Sequence, residues 1–272
     1  MTMGRVPQGE QMNPVEHNRW AWDRQVEEGN QWTLPVTSEQ VAAAREGRWE
    51  VFLTPAKPVP GAWFGEVRGK DLLLLASGGG QQGPLLAAAG ARITVFDNSP
   101  RQLGQDRMVA ERDGLEIRTV LGDMRDLSAF AAGAFDLIFH PVSNCFAPEI
   151  RPVWREAFRV LRPGGALLAG FMNPVIYTFD QELERQGTYT MRRSIPCCDL
   201  ETYSEEERNR LFGEHTPLEW SHSLDDQIGG QIEAGFLLAG FYEDTEAGWK
   251  LSEYFPPYLA TRAVKPLPTG TG

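Results

Sequence analysis

Asp71 to Asp97 reads DLLLLASGGGQQGPLLAAAGARITVFD, and this stretch decides the fold. Leu72 to Ala76 is an unbroken apolar run, the pattern of a parallel strand covered on both faces. It gives way to Ser77-Gly78-Gly79-Gly80, where missing side chains let the backbone turn sharply and approach a ligand closely. Gln81 to Ala89 predicts a helix, with Pro84 tolerated in its first turn and Gly90 as its stop. Ile93 to Phe96 predicts a second buried strand that delivers Asp97 at its carboxyl end. Strand, glycine turn, helix and a strand ending in an acid make half of a nucleotide-binding unit, with the ligand above the turn.

The alternation continues on the C-terminal side. Ser99-Pro100-Arg101-Gln102 opens a helix that Gly114 closes, and Glu116 to Leu121 predicts a strand running into Gly122-Asp123-Met124. Leu127 to Ala131 predicts a short helical turn, and Phe135 to Phe139 a fourth buried strand followed by His140-Pro141-Val142-Ser143-Asn144. From Ile150 to Leu161, Val153, Trp154, Ala157, Val160 and Leu161 share one helical stripe. Pro163-Gly164-Gly165 breaks that helix, and Ala166 to Phe171 predicts a fifth strand. A helix from Ser223 to Glu233 and strands over Phe236 to Tyr242 and Tyr258 to Val264 follow. Such alternation is the signature of an α/β, doubly wound parallel sheet.

Upstream, residues 1–12 read as a loose tail. Asn13-Pro14 starts a helix to about Glu28, and Thr37 with Gln40 starts another that ends near Gly47. Trp20, Trp22, Trp32, Trp49 and Trp63 either fasten this appendage to the sheet or form an aromatic lid over a ligand. Residues 174–222 carry too few apolar side chains for a core of their own; they read as an insertion near the ligand face, with one helix over Ser204 to Phe212. The expected division is therefore 1–69 as N-terminal appendage or lid, 70–173 as ligand-binding core, 174–222 as insertion, and 223–272 as completion of the same domain.

A formal charge of -11 sets the protein against phosphate backbones and anionic lipid, so neither nucleic acid nor membrane is an expected partner. The three cysteines, two of them adjacent, do not make a disulfide framework. MTMGRVPQGEQMNPVEH holds no apolar stretch of a signal peptide, and a cytoplasmic protein is expected. Cys197-Cys198 with His215 and His222 lacks the spacing of a metal site, so no metal is expected.

Taken together, residues 70–172 and the last two strands resemble class I S-adenosylmethionine-dependent methyltransferases of the type 11 or type 25 kind. Ala76-Ser77-Gly78-Gly79-Gly80 stands in the place of that family's G-x-G-x-G turn. Asp97 matches the acid that grips the ribose hydroxyls, and Gly122-Asp123-Met124 the motif whose acid faces the adenine amine. REAFRVLRPGGALL, Arg155 to Leu168, matches the helix, turn and strand that follow the fourth strand. The resemblance implies a Rossmann-like, seven-stranded, mostly parallel sheet with an antiparallel C-terminal strand. It also implies S-adenosyl-L-methionine as cofactor and methyl transfer as the activity. Two positions depart from the pattern: Leu74 replaces the usual acid and Ala76 the first glycine, with Gln81 and Gln82 as possible compensation.

The cofactor residues so implied are Ala76, Ser77, Gly78, Gly80, Gln81, Asp97, Asn98, Gly122, Asp123, Met124 and His140. His140, after the fourth strand, is the candidate general base, against the alternative of a histidine that satisfies backbone groups. Asn144, Asn173 and Tyr177 sit where they could orient a polar substrate or serve as structural hydrogen-bonding residues. The expected acceptor is a small molecule, and the expected assembly a monomer or homodimer. Gly78 to Gly83 also satisfies G-x-G-x-x-G, which makes an NAD(P)-dependent oxidoreductase the second reading. A non-catalytic S-adenosylmethionine-binding protein is the third, favoured by Leu74.

Overall fold

The computed structural model describes residues 13–268; the loose tail expected over residues 1–12 lies outside the described residues. Seven strands form one sheet: β1 (Asp71–Leu75), β2 (Arg92–Asp97), β3 (Ile117–Leu121), β4 (Phe135–His140), β5 (Leu161–Met172), β6 (Leu237–Asp244) and β7 (Tyr258–Val264). Their order is β3-β2-β1-β4-β5-β7-β6. All pairs from β3 to β5 are parallel, and β7 runs antiparallel to both neighbours. Strand order reverses between β1 and β4, so a crevice opens at the carboxyl ends of those two strands.

The apolar run of β1 is explained by its two neighbours. Leu72 and Leu74 enter the core on one face and Leu73 and Leu75 the core on the other, all four fully buried. The helices that cover the first face are α2 (Ser38–Arg45), α3 (Gln82–Ala88) and α4 (Pro100–Asp113), which contribute Val41, Leu86 and Leu103. On the second face α5 (Arg151–Val160) contributes Val153, Trp154, Ala157 and Val160, none of them exposed.

Local signals set the helix ends. Asn13 caps α1 (Pro14–Glu27), Thr37 and Gln40 form a capping box on α2, and Ser99 caps α4. Asp23 on α1 accepts hydrogen bonds from the Ser99 hydroxyl (2.6 Å) and the Arg101 amide (3.1 Å), which docks α1 on the start of α4.

Four expectations are corrected. β5 begins at Leu161 because the Pro163-Gly164-Gly165 turn is a bulge within it: Gly164 and Gly165 bond to Lys265 while the register against β4 shifts. Leu127 to Ala131 forms turns without helix. The helix after Ser223 is split into a wide turn over Asp225–Gly229 and the short α9 (Gly230–Glu233); a side chain at Gly230 would meet the Trp154 ring. The insertion holds α6 (Gln181–Arg185) and α7 (Asp199–Thr202) besides α8 (Glu205–Phe212).

Candidate functional site

A cavity of about 650 Å³ occupies the crevice. Its floor is made by the carboxyl ends of the strands, with Ala76, Ser77 and Gly78 after β1 and Asp97 and Asn98 at the end of β2. Gly122, Asp123 and Met124 follow β3, Pro141 to Ser143 follow β4, and Met172 and Tyr258 come from β5 and β7. Its roof comes from α1, residues 31–36 and residues 50–55.

The glycine turn is held from below. Gly78 donates its amide to Asp97 Oδ2 (2.9 Å), and a Cβ there would lie 2.7 Å from Gln102 Cβ, so only glycine fits. Asp97 Oδ1 accepts the Ser99 amide (2.9 Å), and burial raises the carboxyl above its ordinary range. Asp106, fully buried on α4, accepts the Gly79 amide (3.1 Å), and desolvation pushes it up to about 8. Ala76 adopts φ 47°, a left-handed conformation where glycine is usual. Leu74 lies in the core, so a side chain at that position does not reach the cavity.

The two glutamines hold the roof. Gln81 Nε2 donates to the carbonyls of Gln31 (3.2 Å) and Leu34 (3.0 Å), and Gln82 Oε1 accepts the Phe52 amide (3.1 Å). Val36 donates to the Gly80 carbonyl (2.9 Å). At Gly170 of β5 a Cβ would lie 2.2 Å from the Leu53 carbonyl oxygen, so residues 52–54 cross the sheet there in direct backbone contact. Of the five tryptophans, Trp22 and Trp32 line the cavity, whereas Trp49 and Trp63 pack on Phe64 and Tyr242.

Nine of the sequence-selected residues meet at the cavity: Ala76, Ser77, Gly78, Gln81, Asp97, Asn98, Gly122, Asp123 and Met124. Asp123 is engaged by Arg125, with Nε and Nη2 at 3.0 and 2.7 Å from Oδ2. Asn98 is shared with α1, donating to Val15 O (2.9 Å) and accepting from Arg19 Nε (3.2 Å).

Gly80, His140, Asn144, Asn173 and Tyr177 are not among the lining residues. His140 is completely buried: its Nδ1 bonds the Leu75 carbonyl (2.9 Å), and its ring packs edge-on to Trp154 on the core side. Desolvation lowers it to about 4, so it stays neutral, and its Nε2 is buried with no hydrogen-bond partner among the described residues. Asn144 donates to Gln227 Oε1 (2.7 Å), and Asn173 caps the turn over Pro174–Thr178 and donates to Pro256 O (3.0 Å). Gly80 underlies residues 35 and 36. Tyr177 stands one shell behind the wall, donating to Glu219 Oε2 (2.7 Å).

Sequence reasoning missed Gln102, Cys145 and Glu219, which all line the cavity. Glu219 belongs to the insertion, with no motif to mark it. Gln102 was legible only as a helix-start residue. Its Oε1 is buried with no hydrogen-bond partner among the described residues, and lies beside Gly79.

An acid for a vicinal diol, glycine backbone free of side chains and an unpartnered buried acceptor beside them suit an adenosine-bearing cofactor. Among the described lining residues none is Lys, Arg or His.

The comparisons agree with this chemistry. A family model described as a methyltransferase domain matches residues 73–169. An uncharacterized methyltransferase of Bacillus subtilis is 52% identical over 251 residues, covering 92% of this chain and 98% of that protein. A sterol 24-C-methyltransferase of Neurospora crassa is 35% identical over 101 residues, covering 35% of this chain and 26% of its own length. The crystal structure of an S-adenosylmethionine-dependent methyltransferase from Mesorhizobium loti shares the fold, with a TM-score of 0.58 at 18% identity over 75% of this chain and 94% of that one. The chain therefore belongs to the S-adenosylmethionine-dependent methyltransferases, and S-adenosyl-L-methionine is its cofactor.

Proposed function

We propose that the protein methylates a small neutral or cationic molecule held inside the cavity, and that the two halves of the cavity divide the work. The carboxyl ends of β2 and β3 would hold the adenosine: Asp97 accepting from the ribose hydroxyls, Met124 against the base, and Asp123, paired with Arg125, near the adenine edge. Ser77, Gly78 and Gln102 flank the same half. The sulfonium is itself the reactive methyl donor, so the chain's contribution is to orient the acceptor and exclude water.

The observation that carries this reading is the continuity of the cavity. It runs from Asp97 and Met124 across β1 and β4 to Met172 and Tyr258, beneath a roof tied down at Gln81 and Gln82. Its volume lies in the range of small-ligand sites. Four carboxylates (Glu50, Asp97, Asp123 and Glu219) and no basic side chain on the described lining disfavour a phosphorylated or carboxylated acceptor. His140 has no part in this scheme; a monomer or homodimer in the cytoplasm, without nucleic acid, is compatible with it.

Incubating the protein with methyl-labelled S-adenosylmethionine and a cell extract split by ultrafiltration tests the proposal. Label is expected in the low-molecular-weight fraction, in compounds not retained on an anion exchanger. Label confined to protein or RNA would overturn it.

A further inference from the structure

The cavity wall over β5 and β7 differs from the rest in having one carboxylate with nothing to balance it. Asp123 has Arg125, Asp97 has two backbone amides, and Glu50 is exposed at the rim. Glu219 has no cation within ion-pair distance among the described residues. Oε2 accepts the Tyr177 hydroxyl (2.7 Å), whereas Oε1 accepts no hydrogen bond from the described residues. Ionising a desolvated carboxyl is costly unless it is paired, so a cation brought by the ligand would stabilise its charged form.

The residue is also held firmly. Asp199 Oδ2 accepts the Glu219 amide (2.8 Å), and the Asp199 amide donates back to Glu219 O (3.1 Å). On either side Leu218 is bonded twice to Asn18 of α1, and Trp220 donates to Cys145 O (2.8 Å). Trp22, Phe146 and Tyr258 line the same cavity, with Trp22 edge-on to Phe146 at 5.2 Å, and aromatic faces of this kind attract cations.

We propose that the acceptor is a small amine, and that the free Oε1 of Glu219 receives its ammonium group and takes the proton that must leave nitrogen before methylation. This rests on the small-molecule reading above. The proton passes from nitrogen to Oε1 and uncovers the nitrogen lone pair. That pair forms the new N–C bond while the S–C bond of the sulfonium breaks, its electrons remaining on sulfur. The methylated nitrogen is cationic again, and the proton on Glu219 returns to solvent when product leaves.

The titratable groups around Glu219 are Tyr177, Asp199, Cys145 and Tyr258. Burial raises Tyr177, Cys145 and Tyr258, so all three stay neutral at physiological pH, and only Asp199 adds charge, of the same sign. Desolvation and Asp199 push Glu219 up to about 7, which suits a base that must both bind an ammonium ion and accept its proton.

The test uses the full chain saturated with S-adenosylhomocysteine, as wild type and as Glu219→Gln, whose carboxamide oxygen can still accept from Tyr177. Benzylamine, phenethylamine and tyramine are titrated by ligand-observed NMR, with benzyl alcohol and benzoate as neutral and anionic counterparts. At pH 8 at least one amine is expected to bind wild type about tenfold or more tighter than benzyl alcohol. That preference should vanish in Glu219→Gln and should weaken in wild type as pH falls from 8 to 5.5. Amine binding unchanged in Glu219→Gln, or no preference of wild type for any amine, overturns the proposal. S-adenosylhomocysteine affinity lowered by Glu219→Gln would place the residue at the cofactor and overturn it equally. Wild type that fails to bind S-adenosylhomocysteine would instead sink the cofactor reading beneath it.

Discussion

Asp106 shows how a single residue can matter to this site without touching the cavity. It supplies a carboxyl under the glycine turn, sharing the Gly79 amide with the Gln102 carbonyl (3.1 Å). Its folded pKa of about 8 lies above the ordinary 3.8, so the folded state keeps a proton that the unfolded chain gives up in between. The native state therefore loses stability through this group as pH rises from about 4 to about 8. Asp106→Asn keeps an acceptor for Gly79 and removes the titration. Urea denaturation at pH 5 and pH 8 should show wild type losing at least about 1.4 kcal/mol more than the variant, the value of one pKa unit. Equal losses would mean that Asp106 does not hold a proton in the folded state. His140 is the opposite case. Its place at the carboxyl end of β4 marked it as a base, yet its ring turns to the core and bonds Leu75 O, because a strand is legible in the sequence but the side of the sheet that a strand-end side chain faces is not.

Among the elements, α1 is the one whose role was least legible. Its start was plain in Asn13-Pro14, as were β1, the glycine turn and β2, because each obeys a local rule of spacing and conformation. What α1 packs against depends on contacts across two hundred residues of sequence, such as Asn18 with Leu218, for which one sequence offers no signal. The same is true of the wall at Glu219 and Tyr177, and of the Pro163-Gly164-Gly165 bulge, read as a break but carried within β5 by its pairing with Lys265. Asn18 is 3% exposed and joins α1 to Phe146 and Leu218 with three hydrogen bonds of 2.7 to 3.0 Å. Asn18→Ala leaves those backbone groups unsatisfied, and is expected to cost about 1–3 kcal/mol of stability. Faster hydrogen exchange at the Leu218 amide, with β1 protected as in wild type, should accompany the loss. An unaltered Leu218 amide would separate α1 from the position of the Glu219 segment.

At the scale of the molecule, a reversal of strand order between β1 and β4 opens one crevice, and two segments remote in sequence close it. The sheet carries the features shared across the family: the glycine turn, the acid after β2 and Gly122-Asp123-Met124. The roof and the insertion carry Trp22, Trp32 and Glu219, and no basic side chain lines the cavity among the described residues. The half of the cavity around Asp97 was thus readable from motifs, and the half around Glu219 only from three dimensions. The central claim is that Asp97 anchors S-adenosylmethionine at the end of β2, and calorimetric titration of wild type and Asp97→Ala with S-adenosylhomocysteine and with NADH tests it most directly. Wild type should bind S-adenosylhomocysteine and not NADH, and Asp97→Ala should lose about 1.5–3 kcal/mol of that affinity, the worth of hydrogen bonds to a charged group. Equal affinity in the two proteins, or NADH bound as tightly as S-adenosylhomocysteine, would contradict the account.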